Sequence, residues 1–522
     1  MSLRQKRVFQ NACVNYLTYT VLILLTFFTR KIFLLKLGNE FVGLTTTLNG
    51  ILGLLNLAEL GIGGAIGFHL YKPLYTKEYK TIREIVGVMG YLYKKIALFI
   101  LGSSLIITCF IPFIFRKSDF PFILIAFCFL TSLVSNLLGY FFNYRQIVLE
   151  ADQRTYIVRI NSQICNYIKV LVQVACVYVW CNYYLWAGIE LVFSIFYTLL
   201  LNRIIHKTIP WFFDKENAPD VHGHNLLVKH STVLRTCKQY FFRKLSMFAI
   251  LQTDKLVVFI YLSLSTVALY SNYMMLFDRV LQLFCNLANG LTSSVGNLIA
   301  EGNTKKIEAI YWELQTAYYL IASILSFSFF RLLEFLVAVW LGEEYLLGKT
   351  VLLLLSIQLF LRIVVLCTNS FICGYGLYSD VWAAIAQGII HCLVSLVCGY
   401  YWKLPGILLG CIASVGIIEG IWRPIFLYIR GFKIPCFYYW IKLLLILFSI
   451  GIGYTIQCFA FPILHLRHPD SIVAWLIYSF VWTIMISINM FMVFYLLNPS
   501  LRQLVRREIA LLRTRLSSGH NK

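Results

Sequence analysis

Acidic residues are scarce in this chain: 23 Asp and Glu stand against 45 Lys and Arg, and charged residues of all kinds make up 13% of its 522 residues. Ordinary soluble domains carry about 25% charged residues, so this composition argues against a soluble enzyme. Extended polar sequence is missing too. The longest polar segment, about 206–238, is too short to build an independent core. There is no Gly-rich phosphate loop ending in Lys and Ser or Thr, which excludes a built-in ATPase of that type. Among fifteen cysteines (Cys13, Cys109, Cys128, Cys165 and others, mostly in apolar runs) no CxxC pair occurs. A disulfide framework or thiolate zinc site is therefore not expected, and the thiols read as small buried side chains. His222, His224 and His230 share one loop without a carboxylate or thiol set beside them, so no metal is expected there either. No small-residue cleavage site follows the first apolar run, which reads as a retained span.

What is present is hydrophobic. The chain is 60% hydrophobic, its mean hydropathy is +0.76, and its formal net charge is nevertheless +22. A span needs about 20 mostly apolar residues. Fourteen such stretches fall near 11–33, 42–70, 86–115, 120–143, 155–180, 183–205, 241–263, 267–299, 310–339, 350–374, 381–402, 405–429, 437–463 and 471–497. A twelve-span reading survives if two helices merge or re-enter. The even count puts both termini on one side.

The basic residues orient the chain. The N-terminus, the cluster Lys72, Lys77, Lys80 and Arg83, the group Arg145, Arg154 and Arg159, the central loop and the C-terminal tail gather roughly 29 of the 45 on one side. That side is cytoplasmic by the positive-inside rule. The tail, 501–516, alternates apolar residues such as Leu504 and Leu511 with arginines, the pattern of a helix lying on an anionic inner leaflet. The excess charge therefore implies lipid headgroups rather than nucleic acid.

Polar residues inside spans are expensive and point to function. The first span carries Asn11, Asn15, Thr18, Tyr19, Thr26, Thr29 and Arg30 at spacings that share one face, opposite Leu17, Val21, Leu24 and Phe28. A water-filled cavity or helix–helix hydrogen bonding accounts for such a stripe. The seventh span begins with Arg243 and Lys244 and carries Asp254 and Lys255. Neighbours on a helix diverge by about 100°, so Asp254 and Lys255 each need another partner. Asp278 and Arg279 pose the same problem in the eighth span. Arg331 and Glu334 are spaced to pair along one helix. Glu59, Lys169, Glu190, Arg362, Glu419 and Arg423 stand isolated. A gapless alignment of 51–67 on 280–296 hints at a duplication, with halves of six spans joined by 206–238, an architecture that recurs in transporters.

Seven segments carry a resemblance: LGNEFVGL (37–44), AELGIGGA (58–65), LYKPL (70–74), LYSNY (269–273), GNLIAEGN (296–303), WLGEEYLL (340–347) and WRP (422–424). In this order and spacing they resemble the Wzx-type polysaccharide transporter family, in the superfamily that also holds the MATE exporters and the MurJ lipid II flippase. The resemblance implies an all-α polytopic fold of about fourteen helices. Two six-helix lobes, 1–205 and 239–430, would form a V around the loop 206–238, with two extra helices in 431–497 and a basic tail in 498–522. It implies translocation of undecaprenyl-pyrophosphate-linked oligosaccharide across a bacterial inner membrane, by alternating access, for O-antigen or capsule type polysaccharide. The family's luminal cations match Arg30 and Lys244 and Lys255 by position. One departure is the segment 373–380, which lacks a basic residue near Tyr378.

The combined expectation is a flippase, not an enzyme, with Arg30, Asn15, Thr18, Lys244, Lys255 and Arg279 contacting substrate and Asp254 and Asp278 serving ion coupling or ion pairing. No cofactor is expected beyond a proton or sodium gradient. The partners expected are a lipid-linked oligosaccharide, anionic lipids and other polysaccharide-assembly proteins. A MATE-type ion-coupled exporter of small molecules is the alternative. A membrane-embedded glycan polymerase or ligase ranks below it, because the exterior loops are too short to hold an acid–base pair.

Overall fold

The computed structural model describes residues 3–59, 62–116, 118–214, 223–377, 379–460 and 469–519. Among these the regular structure is helical. In chain order the helices are α1 (Leu3–Leu55), α2 (Ile62–Thr76), α3 (Tyr79–Ile114), α4 (Phe122–Phe141), the short α5 (Ile147–Ala151), α6 (Thr155–Trp180), α7 (Tyr183–Thr208), α8 (His224–Lys229) and α9 (Ser231–Tyr261). There follow α10 (Leu264–Ala300), α11 (Thr304–Trp340), α12 (Lys349–Gly374), α13 (Val381–Ser414), α14 (Arg423–Phe426), α15 (Phe437–Ala460), α16 (Ile472–Leu497) and α17 (Pro499–Gly519). Nine helical stretches among the described residues are long and apolar enough to cross a membrane. The protein is an all-α, multi-pass membrane protein.

The fourteen predicted spans lie on these helices, but two pairs of spans share one continuous run. The first span and the start of the second both lie on α1, which is broken at Gly38, where φ is 82°; the rest of the second span lies on a 3-10 turn at 56–59 and on α2. Glycine suits that break because it carries no Cβ to clash in the left-handed region. The eleventh and twelfth share one stretch, Trp382–Phe432, broken at Lys403 just before Pro405. Beyond that break the helix widens into π-helical turns at Val415–Trp422 and Leu427–Phe432, on either side of α14.

The chain divides into two compact units, Met1–Ser271 and Asn272–Lys522. This boundary falls well after the polar segment 206–238 expected to separate the halves. The physical reason is that the segment is fastened to the first unit. Glu84, almost fully buried, accepts from Lys229 Nζ at 2.6 Å and faces His230 Nε2 at 2.9 Å. Trp211 packs on Tyr79 with ring centres 4.4 Å apart, and the Arg83 guanidinium donates to the Asp214 carbonyl. Leu226, Val233 and Cys237 join the same apolar core as Leu44, Ile66 and Ile82. Helix α9 then packs on α1 and α2. Gly43 makes a close approach possible in this unit, since a Cβ there would lie 1.9 Å from the Leu264 carbonyl oxygen.

The two stretches aligned as a possible duplication differ locally in the residues described. Residues 56–59 form a 3-10 turn that interrupts the helix, whereas 280–296 lie inside the uninterrupted α10.

The second unit is organised around α11, which packs on α12, α16 and α17. Its aromatic core joins Tyr311, Trp312, Phe371, Tyr428 and Phe432, all 2% exposed or less, and Trp312 Nε1 donates to Tyr428 Oη at 2.6 Å. The tail helix α17 makes protein contacts that its basic pattern did not announce. Leu501 is buried, and Arg507 reaches Glu313 of α11 at 2.6 Å.

Candidate functional site

Helix α1 turns its apolar face outward, as the stripe requires. Leu17 and Phe28 are 68% and 62% exposed, whereas Thr29 on the polar face is 6% exposed. Part of that polar face is used in bonding. Thr18 Oγ1 donates to its own helix at Val14 O (2.7 Å), and Tyr167 Oη from α6 donates to Thr18 O (2.7 Å). Asn11 accepts from the Tyr156 N–H and donates to Gln153 O, which ties it to the start of α6.

Arg30 and Asp254 converge on the same turn of α10. The Arg30 guanidinium donates to Ser271 Oγ at 2.5 Å and to Ala268 O at 3.4 Å. Asp254, 4% exposed, accepts from Tyr270 Oη at 3.5 Å. Lys255, next to it, is half-buried. These three belong to the first unit. Asp278, exposed, and Arg279, half-buried, belong to the second. The side chains of Asn15 and Lys244, and residue Tyr378, lie outside the described residues. The guanidinium of Arg331, expected to pair with Glu334, lies 5.9 Å over the Trp482 ring.

The residues that stood isolated in sequence acquire partners. Glu59 accepts from Tyr93 Oη at 2.5 Å and from Tyr140 Oη at 2.8 Å. Glu419, in the π-helical turn, is held by Gln387 Nε2 (2.7 Å) and Asn369 Nδ2 (3.0 Å), with Arg423 at 3.7 Å. Lys169 of α6 pairs with Glu190 of α7 at 2.7 Å.

The last pair differs from the others in lining open space. A cavity of about 450 Å³ lies inside the first unit. Helix α4 contributes Thr131, Ser132, Ser135 and Asn136, a spacing that places them on one face. Thr45 and Asn49 of α1 face it one turn apart, and α7 adds Trp186, Glu190 and Ser194. Lys169 and Glu190 keep 17% and 29% of their side-chain exposure beside it. Gln173 steadies the pair, donating to Trp186 O at 3.1 Å and lying 3.4 Å from the second Glu190 oxygen.

Neither a family model nor a curated protein matches this chain by sequence. Solved structures do match. MurJ, titled a lipid II flippase in an inward closed conformation, superposes with a TM-score of 0.64 at 13% identity, over 95% of this chain and 99% of that one. The chain has the fold of the MATE and MurJ transporters. An inward-facing multidrug resistance MATE family transporter of the MOP superfamily gives a TM-score of 0.62 at 14% identity, over 78% of this chain and 95% of that one. An outward-facing multidrug resistance MATE family transporter gives 0.54 at 14%, over 82% and 96%.

Within this MATE/MurJ fold, the polar cavity was the feature the sequence did not announce. One signal was available. Helices α6 and α7 are joined at residues 181–182, and Lys169 and Glu190 lie on opposite sides of that tight connection. Opposite charges on consecutive helices at similar depth are candidates for pairing. The hydroxyl face of α4 gave none, because Ser and Thr in apolar helices commonly bond to their own backbone.

Proposed function

We propose that the protein is a transporter that flips a lipid-linked oligosaccharide across the membrane by alternating access. The observation that carries this reading is the extent of the likeness. MurJ, named for flipping lipid II, corresponds to 95% of this chain, whereas the MATE transporter corresponds to 78%. The chain thus matches a lipid II flippase over nearly its whole length.

The chemistry is compatible. A pyrophosphate-linked glycan cannot cross hydrocarbon bare, and fixed cations can replace its water. Arg30 and Lys255 supply cations on α1 and α9 of the first unit, and Arg279 supplies one in the second. Glycan hydroxyls find amide and hydroxyl partners, while the prenyl chain stays in lipid. Few cations keep binding moderate, which release requires. Asp254 is the carboxylate suited to sensing a proton or sodium gradient. The setting proposed is a bacterial inner membrane with both termini cytoplasmic, where the basic tail meets anionic lipids and other polysaccharide-assembly proteins act on the product.

The exporter reading has the MATE likeness in its favour, and one experiment separates the two. In cells lacking the protein, the flippase reading expects lipid-linked oligosaccharide to accumulate and surface glycan to disappear. Arg30→Ala and Lys255→Ala proteins should accumulate normally yet fail to restore it. Unchanged surface glycan with increased sensitivity to cationic drugs would favour the exporter. Asp254→Asn should alter the response to collapsing the ion gradient; an unchanged response would confine Asp254 to its contact with Tyr270.

A further inference from the structure

We propose that the cavity inside the first unit is a binding site for one neutral sugar residue of hexose size. The proposal rests on the flippase reading for the source of that sugar, the glycan of a lipid-linked substrate, and goes beyond it in assigning a site within one unit. At about 450 Å³ the cavity falls within the range of small-ligand pockets, about 300–1,000 Å³.

The lining is rich in acceptors. Three hydroxyls direct their protons into their own helices: Thr45 to Val42 O (3.0 Å), Thr131 to Phe127 O (2.9 Å) and Ser194 to Glu190 O (2.8 Å). Asn136 likewise donates its amide to Ser132 O at 3.0 Å and keeps its carbonyl oxygen. The three hydroxyls still offer lone pairs, and Asn136 offers its carbonyl oxygen and a second amide N–H. A ligand that satisfies them must bring both donors and acceptors, as the hydroxyls of a sugar do.

Electrostatics restricts the ligand further. Lys169 and Glu190 neutralise one another at 2.7 Å. A cationic ligand would meet the Lys169 ammonium and an anionic one the Glu190 carboxylate, whereas a neutral polyol meets neither repulsion. Two lining groups, Trp186 Nε1 and Ser135 Oγ, are buried with no hydrogen-bond partner on the protein. Buried polar atoms of this kind call for an explanation, and a bound hydroxyl provides one. The indole N–H is a donor and the serine hydroxyl can donate or accept, so both sides of a sugar hydroxyl are served.

The test uses the full-length protein purified into lipid nanodiscs. Ser132→Cys places a thiol on the cavity wall, and its alkylation by N-ethylmaleimide is followed by peptide mass spectrometry. Cys109, exposed, serves as the reference. The probes are glucose, galactose, N-acetylglucosamine and rhamnose at millimolar concentration. At least one should slow alkylation at position 132 several-fold and leave Cys109 unaffected. Trp186→Phe should weaken that protection, and Ser135→Leu should abolish it. No protection by any probe, or a thiol that never reacts, would overturn the proposal, the first outcome meaning a water-filled cavity only. Cellular glycan export separates the two readings. Protection in the purified protein, with normal surface glycan in cells lacking it, keeps the sugar site and removes the flippase. Lost surface glycan without it, together with normal export by Ser135→Leu, keeps the flippase and removes the sugar site.

Discussion

Each unit places an acidic and a basic side chain in contact among apolar helices, and the two units do so in opposite ways. In the second unit Glu419 has both oxygens engaged, one by Gln387 and the other by Asn369 with Arg423 beyond it, and Arg423 in turn donates to Asn369 Oδ1. Four side chains from α12, α13, the first π-helical turn and α14 hold one another, with Arg423 Nε left over. In the first unit Lys169 engages one oxygen of Glu190, the other has only a long contact with Gln173, and both charges face a cavity. A carboxylate with both oxygens engaged specifies packing, while a pair beside open volume has capacity left for a ligand. Burial of charge alone therefore does not identify a site; what distinguishes one is a partner set that is incomplete next to space.

The largest effect should come from opening the Glu419 network. Glu419→Ala strands the Arg423 guanidinium and should cost on the order of 3 kcal/mol, the usual penalty for breaking a buried pair. Glu190→Ala, at a pair with 29% of the carboxylate side chain exposed, should cost about 1 kcal/mol or less. Thermal unfolding of the detergent-purified variants compares the two, and equal losses would erase the distinction. Next in size is Gln387→Leu, which leaves a Glu419 oxygen without its 2.7 Å donor and should cost about 1–3 kcal/mol in the same assay. The corresponding Gln173→Leu should cost less, because its bond to Glu190 is 3.4 Å long.

A third experiment separates stability from transport. Replacing Lys169 and Glu190 together by Met and Leu removes both charges at similar volume, a change often neutral for stability. Protein should accumulate at normal levels, and surface glycan should fall several-fold if the cavity handles substrate. Unchanged glycan would make this pair as structural as the one in the second unit.

The smallest effect concerns Glu150 in α5, which lies between spans. Burial pushes its carboxyl above the usual carboxylate range. The folded state then holds the proton more tightly than the unfolded state. Stability from this group is present below the ordinary carboxylate pKa and is lost as pH rises through the raised value. Glu150→Gln should flatten that decline, which unfolding midpoints across mildly acidic to neutral pH would detect.

Much of the fold was legible in the chain. The apolar runs placed fourteen spans, and the described residues of these runs are almost all helical, the 3-10 turn at 56–59 being one break. The outward face of the first span could be read from the spacing of Leu17, Val21, Leu24 and Phe28, which are all exposed. The intramembrane charges were recognisable as costly. Their partners were not, because Glu59 finds Tyr93 and Tyr140 only through the packing of the 56–59 turn on α3 and α4. The contact-based division of the chain, after Ser271, was not legible for a related reason. A polar run such as 206–238 looks like a linker in sequence, and only the burial of Glu84 beneath Lys229 and His230 makes it part of the first unit.

By itself the sequence determined that this is a multi-pass helical membrane protein and where its helices run. The bilayer sets a minimum apolar length and forbids unsatisfied backbone, so hydropathy and length are enough. Only the tertiary structure decided which charges meet and where space is left between them. Pairing depends on the rotation and depth of helices far apart in the chain, and a cavity belongs to several helices at once, so no single segment encodes either one.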